Sequence, residues 1–563
     1  MTTRDQEQDG ERDARYAPGA APEAVLVAGR VSGAYVGDGV AGFLGVPYAR
    51  APFGPLRFRA PEPVAPWEGV RKATEFGATA PKRPYSPPLD TLLPDPTVEG
   101  DDCLNVNVWA PWGPGGPPAG SGGGGQGDRG RPVMVWIHGG SLIHGSNAVP
   151  LYDGAAFARD GVVLVSLNYR LGVEGFGVFP DAPANLGLRD QIAALEWVRE
   201  NAAAFGGDPG RVTVFGESAG AISIAALLAS PLARGLFRRA IVQSGAPMAL
   251  PLERARRTTE AMAKRLGIPA TAEAFAAVDR ERLLAAQTEV TAKGSPLTGG
   301  GHTFQIAVDG EVVPRDPAEA LTAGGSRPGV GAGAGARAGA VAGPGVGRGR
   351  EAAGQLHKGG TSAQAFADTS VEAGEVDLLM GTTSEEYRLW FVPSGLVERL
   401  SPLMLRLALW KTRVPSRTAR VYRANRPGAR PGEVLGALAT DKLLRVPLNR
   451  VADARLRSGA AAGRTYLYEF GWPSPVLGLG ACHALELGFV FDTLDTPEAE
   501  AMTGPGAPRE LAASMHAAWV AFAADGDPGW RAWDAERPVM AFGPGRPALV
   551  LAPREDERHA WDA

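Results

Sequence analysis

The stretch VTVFGESAGAISIAALLAS, residues 212–230, decides the predicted fold. Its apolar start, Val212 to Phe215, is typical of a buried strand, and the Ala, Leu and Ile residues further along favour a helix. Between them stands G-x-S-x-G with Ser218 at its centre, a pentapeptide that is weak alone because glycine is so common in this chain. A strand, a sharp turn and a helix in this order predict a nucleophile elbow, which raises the Ser218 hydroxyl above the edge of a sheet.

The two glycines of this motif have a steric purpose. We expect Gly216 and Gly220 to allow a close backbone approach in which a side chain would clash. The N-terminus of the following helix would then lie beneath an oxyanion that forms at Ser218. The alternative interpretation is a loop serine that merely has glycine neighbours.

A second loop of small residues supports the same interpretation. The segment PVMVWIHGGS, residues 132–141, ends a predicted strand in two glycines and a serine, so backbone N–H groups can converge on one point. We predict that Gly140, Ser141 and Ala219 donate their backbone N–H groups to an oxyanion, with Gly139 in support. An ordinary glycine-rich turn is the alternative.

Strands and helices alternate along the chain. Residues 188–205 have helical spacing, and short β-branched runs predict buried parallel strands at 133–137, 162–169, 212–215, 240–244 and 376–381. The predicted fold class is therefore α/β, with a central, mostly parallel, twisted sheet and helices on both faces. In such a sheet the site lies at the carboxyl ends of the strands.

Charge and composition limit the partners. The 563 residues include 57 basic and 61 acidic ones, for a formal net charge of −4. Because the charges nearly balance and no basic stripe interleaved with aromatic residues stands out, we predict no nucleic-acid partner and a small neutral or mildly polar substrate. The glycines at 331–335 follow no strand and precede no helix, so they do not indicate a nucleotide site. We predict no cofactor and no metal.

The cysteines and the N-terminus indicate a compartment. Cys103 and Cys482 are too few for a disulfide framework, and we interpret them as buried thiols. The first 24 residues lack the apolar core of a signal peptide, and no apolar run is long enough to span a bilayer. We therefore predict a cytoplasmic protein without a membrane partner.

The predicted organisation is a single domain over residues 25–545. A disordered arm, 1–24, precedes it, and a C-terminal tail, 546–563, follows it. Residues 113–130 are low in complexity and are interpreted as a flexible surface loop linking neighbouring strands. Residues 323–360, rich in Gly and Ala, are interpreted as an unstructured insertion.

The motifs occur in an order that resembles the type-B carboxylesterases, relatives of the cholinesterases. The resemblance covers about residues 42–542 apart from the insertion, and its most specific segment is NLGLRDQIAALEWVRENAAAFGGDPGRVTVFGESAG at 185–220. It implies an α/β-hydrolase fold with large helical and loop insertions. The other matching segments are GVPYARAPFGPLRFRAPEP at 45–63, DDCLNVNVWAP at 101–111, HGGSLIHGS at 138–146, QSGAP at 243–247 and WVAFAADGDP at 519–528.

The resemblance also implies a Ser-Glu-His triad in that chain order. Glu386, in GTTSEEY at 381–387, matches the acid and is the predicted triad acid. Glu385 stands where the family usually has an aspartate, so this adjacent glutamate is the alternative. His483, in GACHALELGFVF at 480–491, matches the base, and no other of the seven histidines stands at that place in the chain.

Smaller matches to the family concern supporting residues. Ser244 resembles a second buried serine that helps to hold the acid, and Glu217 is a further supporting residue. Arg57 and Asp101 resemble a structural ion pair. The family often bonds the cysteine that matches Cys103 to an upstream cysteine, which this chain does not have.

The resemblance implies a hydrolase that cleaves small carboxylic esters through an acyl-enzyme on Ser218. Two alternatives remain at this stage. The same triad could act on amides, carbamates or lactones, or the chain could be a non-catalytic binding member of the fold, although such members typically lack a triad residue. The oligomeric state is predicted only as monomer or homodimer.

Overall fold

The strands of the protein were located in a computed structural model, which describes residues 21–113, 116–117, 130–292, 301–322, 375–459 and 463–562. The 323–360 insertion and most of the 1–24 and 113–130 segments lie outside these residues. The described strands are β1 (Glu23–Val25), β2 (Arg30–Ser32), β3 (Ala34–Gly37), β4 (Val40–Pro47), β5 (Val70–Lys72), β6 (Asn105–Pro111), β7 (Arg131–Ile137), β8 (Val163–Leu167), β9 (Gly207–Glu217), β10 (Arg239–Gln243), β11 (Leu250–Pro251), β12 (Ala307–Val308), β13 (Asp377–Thr383), β14 (Thr465–Phe470), β15 (Pro538–Phe542) and β16 (Ala548–Leu551).

Helices connect most of the strands. Those in the described part of the chain are α1 (Ala155–Arg159), α2 (Gly172–Phe176), α3 (Leu186–Asn201), α4 (Ala219–Ala229), α5 (Leu252–Leu266), α6 (Ala272–Ala276), α7 (Arg280–Thr291), α8 (Pro317–Thr322), α9 (Arg388–Phe391), α10 (Leu396–Arg399), α11 (Pro402–Lys411), α12 (Ser416–Ala424), α13 (Pro431–Thr440), α14 (Val446–Arg457), α15 (Leu487–Val490), α16 (Pro497–Thr503), α17 (Arg509–Asp525) and α18 (Glu555–His559).

One large sheet forms the centre of the molecule. Its order is β3-β4-β6-β8-β7-β9-β10-β13-β14-β15-β16 among the described strands. The seven strands from β8 to β15 run parallel, while the strands at both edges pair antiparallel. Since the carboxyl ends of parallel strands meet at one edge of a sheet, the loops after β7, β9, β13 and β14 lie close together.

Strand β7 shows why the sheet is covered on both faces. Val133, Val135 and Ile137 belong to one cluster of buried apolar side chains, and Met134 and Trp136 belong to another. Successive side chains of a strand point to opposite faces, so each cluster fills one side of the sheet. The continuous apolar run in the sequence is explained by this double burial, and the predicted mostly parallel sheet is confirmed.

The lateral order of two strands differs from the prediction. Residues 113–130 join β6 to β7, which were expected to be neighbours, but β8 lies between them and pairs with both. Local patterns mark a segment as a strand, whereas its neighbours in the sheet depend on pairing between distant parts of the chain. Residues beyond 545 extend the same sheet through β16 and add helix α18.

The predicted Arg57–Asp101 ion pair is wrong. The Arg57 guanidinium binds Glu174 instead, with Nη2 2.5 Å and Nε 3.0 Å from Oε1. Asp101 pairs with Arg280 at 2.6 Å. The Glu174 side chain is 8% exposed and that of Asp101 is 65% exposed, so the buried carboxylate is the one that needs the more enclosed cation.

Both thiols follow the prediction. Cys103 and Cys482 are free and fully buried, and burial raises the pKa of each thiol. In the part of the chain that the structure describes, no helix is long and apolar enough to cross a membrane.

Candidate active site

Ser218 occupies the turn between β9 and α4. Its φ of 55° and ψ of −120° are unusual for a residue with a side chain. A Cβ atom on Gly216 would lie 2.6 Å from the Ile137 carbonyl oxygen, and one on Gly220 would lie 2.0 Å from the same atom. Both positions therefore require glycine, and the turn has the sharp geometry that the motif predicts.

His483 and Glu386 are in direct contact. His483 Nδ1 lies 2.5 Å from Glu386 Oε2, and both side chains are buried. The other carboxylate oxygen of Glu386 accepts a hydrogen bond of 2.8 Å from the Thr383 N–H at the end of β13. This carboxylate is thus positioned on one side by the backbone and on the other by the imidazole ring.

The carboxylate of Glu385 makes other contacts and does not bind the imidazole of His483. This carboxylate accepts a hydrogen bond of 3.1 Å from the Ala481 N–H and lies 3.3 Å from the Arg388 guanidinium. Of the two adjacent glutamates, the one in contact with the imidazole is Glu386.

The other imidazole nitrogen faces a carboxylate rather than the serine. His483 Nε2 lies 2.8 Å from Glu217 Oε1, although the two atoms are not aligned for a hydrogen bond. Ser218 lines the same cleft as His483 and Glu217, but its hydroxyl makes no hydrogen bond to the imidazole. The structure therefore joins two of the three predicted triad residues directly and brings the third to the same cleft.

The charges around the imidazole set its pKa. Burial lowers the pKa of His483, but the carboxylates of Glu217 and Glu386 outweigh that effect and raise it well above its ordinary value. Burial raises the pKa of Glu217, and the negative charge of Glu386 raises it further. Negative charge on the two glutamates therefore stabilises the charged form of the imidazole.

A further buried glutamate was missed by the sequence analysis. Glu486 is fully buried, and burial together with the charges of Glu217 and Glu386 raises its pKa to about 8. Its Oε1 accepts a hydrogen bond of 3.3 Å from the Gln243 side chain. The signal for it was an acidic residue within the apolar run after His483, because a charge in such a run seldom lies in a core without a reason.

The loop after β7 has an unusual backbone conformation at three successive residues. Gly140, Ser141 and Leu142 have φ values of 108°, 56° and 62°. A Cβ atom on Gly140 would lie 2.2 Å from the His144 carbonyl oxygen, so this position requires glycine. Within the described residues, no acceptor takes the N–H of Gly140 or Ser141. Ala219 begins α4, where N–H groups have no acceptor inside the helix.

Gly139 lies against the nucleophile turn. A Cβ atom there would lie 2.9 Å from the Glu217 carbonyl oxygen and 3.2 Å from Ser218 Cβ. The absence of a side chain at Gly139 therefore lets the two loops approach each other. Gly139, Gly140 and Ser141 all line the cleft that contains Ser218.

A buried ion pair contacts the loop after β7 at Gly145. The side chains of Lys82 and Asp95 are 0% and 3% exposed, and Nζ lies 2.5 Å from Oδ1. Lys82 Nζ also donates to the carbonyl oxygens of Pro96 and Gly145, and the Gly145 N–H donates to Asp95 Oδ1. Neither residue was singled out in the sequence, because the two charges stand apart in a Pro-rich segment without a recognisable motif.

We expect Lys82→Met to destabilise the protein by about 3–5 kcal/mol, because it leaves the Asp95 carboxylate buried without its cation. The free energy of unfolding in urea measures the effect. Arg50→Met is the matched control, since Arg50 pairs with Glu62 at an exposed site and such pairs contribute little. Equal stabilities of the two variants would show that the buried pair does not hold the loop.

The predicted supporting serine is placed differently from the expectation. Ser244 is buried and has a φ of 51°, and its N–H donates to the Gly381 carbonyl oxygen. Its hydroxyl has no hydrogen-bond partner among the described residues. The structure therefore does not bring this hydroxyl to the Glu386 carboxylate.

The cleft itself is mostly apolar. It is partly open to solvent. The Trp390 ring lies against His483 with the ring centroids 4.8 Å apart. Across the described residues, no group of three His, Cys, Asp or Glu side chains could hold a metal ion. The other apolar and aromatic side chains of the wall are Tyr85, Leu92, Leu93, Pro94, Val149, Leu151, Tyr152, Leu389, Ala484, Leu487 and Met502.

Comparison with known proteins gives a consistent result. The model of the carboxylesterase family matches residues 20–540. A para-nitrobenzyl esterase of Bacillus subtilis (strain 168) is 36% identical over 506 residues, which cover 87% of each chain. A phenmedipham hydrolase of Pseudarthrobacter oxydans is 32% identical over 519 residues, which cover 90% of each chain.

Solved structures share the fold. The crystal structure of the Geobacillus stearothermophilus carboxylesterase EST55 at pH 6.2 superimposes with a TM-score of 0.75 at 33% identity, over 96% of this chain and 99% of that one. A para-nitrobenzyl esterase structure gives a TM-score of 0.74 at 31% identity. These neighbours have the α/β-hydrolase fold, so the predicted fold class is confirmed.

Proposed function

This chain belongs to the carboxylesterase family and is a carboxylic ester hydrolase, and from that premise we propose that it works through an acyl-enzyme on Ser218. His483 acts as the base and then as the acid, and Glu386 orients the imidazole. The observation that carries the proposal is the 2.5 Å contact between His483 Nδ1 and Glu386 Oε2 in the cleft that Ser218 lines.

The first step is attack on the ester carbonyl. Neutral His483 takes the hydroxyl proton of Ser218 at Nε2 while the serine oxygen forms a bond to the carbonyl carbon. The Glu386 carboxylate keeps the other proton on Nδ1 and stabilises the imidazolium. For this step Nε2 must serve the serine hydroxyl, whereas in the structure it faces Glu217.

The backbone donors act on the charge that develops. The N–H groups of Gly140, Ser141 and Ala219 are proposed to bind the tetrahedral oxyanion, and each such donor contributes about 3–4 kcal/mol in comparable enzymes. The imidazolium then protonates the departing alcohol oxygen, and the acyl group remains on Ser218. Water, deprotonated by the same imidazole, attacks the acyl carbon. The bond from that carbon to the Ser218 oxygen then breaks, the imidazolium returns its proton to the serine oxygen, and the acid is released.

The expected substrates are small apolar esters, because the cleft wall consists mainly of Leu, Val, Met and aromatic side chains. Amides, carbamates and lactones remain the alternatives on the same residues. A cytoplasmic location, which the two free thiols support, and a monomeric or homodimeric state stay predictions.

The direct test is to trap the acyl group. The protein is mixed with p-nitrophenyl esters from acetate to octanoate, quenched in acid and digested, and the peptides are weighed by mass spectrometry. We expect the acyl mass on the peptide that contains Ser218, together with a burst of nitrophenolate of about one equivalent per chain. Turnover without any acylated peptide would contradict the proposal, and parallel assays with amide and carbamate analogues test the alternatives.

The pH dependence follows from the raised pKa of His483. Because the base must be neutral, kcat/KM falls as the pH decreases through that pKa, so we expect the acid limb above pH 6.5, the ordinary value for histidine. Glu217→Gln removes a negative charge 2.8 Å from Nε2, which lowers the pKa of His483. The acid limb should therefore move to lower pH.

The measurement is kcat/KM from about pH 5 to about pH 9, on either side of the range in which histidine titrates. Glu498→Gln is the matched control, since Glu498 lines the cleft but is not among the groups that raise the pKa of His483. An acid limb that is the same in Glu217→Gln as in the wild type would show that Glu217 does not govern the ionisation of the base.

A further inference from the structure

Helix α11 has an apolar outer face. Leu405 and Leu409 on its inner side are buried against α13 and neighbouring helices. At about 100° per residue, Leu403, Leu407 and Trp410 fall on the opposite side. The helix is therefore apolar on both sides, although the described residues cover only one of them. The exposed fractions are 74% for Leu403, 50% for Met404, 61% for Leu407 and 77% for Trp410.

The chain around this face is strongly basic. Residues 399–432 contain nine Arg and Lys residues and no Asp or Glu, whereas the whole protein carries a net charge of −4. The nine residues are Arg399, Arg406, Lys411, Arg413, Arg417, Arg420, Arg423, Arg426 and Arg430.

Most of these cations are unpaired. Arg426 pairs with the buried Glu557, and Arg430 pairs with Glu398. The seven that lie exposed without an ion-pair partner in the described part of the protein are Arg399, Arg406, Lys411, Arg413, Arg417, Arg420 and Arg423. Unpaired surface charges of one sign create a field that attracts a partner of the opposite sign.

The two features lie on the same helix. Arg406 and Lys411 flank the apolar face of α11 on opposite sides, at about 100° and about 240° from Leu405 around the helix axis. Leu and Trp side chains enter the boundary between lipid headgroups and acyl chains, and flanking Arg and Lys side chains bind anionic headgroups. This arrangement is typical of a helix that lies in the plane of a membrane surface.

We propose that the outer face of α11, with Arg406 and Lys411 on its flanks, docks on an anionic lipid bilayer. The helix lies on such a surface and does not span it. The prediction that the protein has no membrane partner rested on the search for a spanning run, which a ten-residue surface helix does not provide. Docking would concentrate the hydrolase where apolar esters partition.

Other occupants fit the surface less well. A nucleic acid would use the charges but would leave the apolar face in water. A second copy of this chain would bring identical cationic patches together, because a two-fold interface uses the same surface on both subunits. Like charges placed in this way repel each other, so the charge favours a lipid surface over self-association.

The test is co-sedimentation of the purified full chain with two kinds of vesicle, one of phosphatidylcholine alone and one that also contains phosphatidylglycerol. We expect binding to the anionic vesicles, weakened by salt, and little binding to the neutral ones. Arg406→Gln/Lys411→Gln should weaken binding about 30-fold at low salt, since each cation near the surface contributes about fivefold. Leu407→Gln/Trp410→Gln should weaken it by at least about tenfold.

Two control variants make the same kinds of substitution elsewhere on the protein surface. Arg254→Gln/Arg257→Gln removes two exposed cations of α5 that have no ion-pair partner among the described residues, and Leu232→Gln removes an exposed leucine. Both controls should bind vesicles like the wild type. All four variants should hydrolyse soluble p-nitrophenyl acetate at the wild-type rate, because none of the changed residues lines the cleft.

Three results would overturn the proposal. The first is equal binding of both vesicle types without salt dependence. The second is wild-type binding by both α11 variants. The third is a wild-type dimer in analytical ultracentrifugation that Leu407→Gln/Trp410→Gln converts to a monomer without any vesicle binding, which would make the face an interface between copies of the chain.

Discussion

Ser218→Ala is expected to lower kcat for p-nitrophenyl esters by about 10⁴- to 10⁶-fold. The alanine cannot form the acyl bond, so the two-step path through the proposed intermediate is lost. Substrate binding and the proposed backbone donors, Gly140, Ser141 and Ala219, remain in the variant. In comparable enzymes these contributions leave about 10³- to 10⁴-fold acceleration over water. The comparison of initial rates with the wild type, at matched protein concentration, measures the effect.

Ser244→Ala is the matched control for this change. Ser244 is also buried and also has a positive φ, but its hydroxyl has no hydrogen-bond partner among the described residues. Removal of such a hydroxyl is nearly neutral, so we expect activity within about threefold of the wild type. If Ser218→Ala retained wild-type activity, Ser218 would not be the nucleophile, whatever the behaviour of the control.

Glu386→Gln is expected to lower kcat by about 10⁴-fold, which is the scale of the loss when the orienting acid of a triad becomes an amide. The amide has nearly the same shape, so the fold is preserved. Its N–H₂ group, however, cannot accept a hydrogen bond from Nδ1–H as a carboxylate oxygen does, and the wrong tautomer of His483 is favoured. The imidazolium that forms during attack also loses its negative partner.

Glu385→Gln makes the same chemical change one residue away. Its carboxylate contacts the Ala481 N–H and Arg388 and not the imidazole. We therefore expect a loss in kcat of less than about tenfold, the factor that corresponds to 1.4 kcal/mol. The reverse order of effects, with Glu385→Gln inactive and Glu386→Gln active, would assign the orienting acid to Glu385.

The local patterns were reliable where neighbours in the chain decide the structure. The strand, turn and helix around Ser218 form where the motif predicts them, since glycine positions and apolar spacing act over a few residues. The buried strands β7, β8, β9, β10 and β13 coincide with the predicted β-branched runs for the same reason. Their order in the sheet was harder to predict from the sequence, and the position of β8 between β6 and β7 was not predicted.

Electrostatic contacts could not be derived from spacing. Arg57 was expected to pair with Asp101 but binds Glu174, because burial decides which carboxylate most needs a cation. Lys82 and Asp95 were not considered at all, although their buried pair supports the loop that contains Gly145. Glu486 was not predicted as a site residue, because its raised pKa depends on burial and on the charges of Glu217 and Glu386, which lie far from it in the chain.

The amino-acid order thus determines the nucleophile turn and the buried parallel strands, because both depend on short-range sterics and on the burial of regularly spaced apolar side chains. The family match pointed to Glu386, but only the tertiary structure shows that its carboxylate, and not that of Glu385, meets the imidazole, and that Glu217 faces the other nitrogen. His483 and Glu386 stand 97 positions apart. Contacts over that distance depend on how loops from separate strands pack at one edge of the sheet, which no local pattern records.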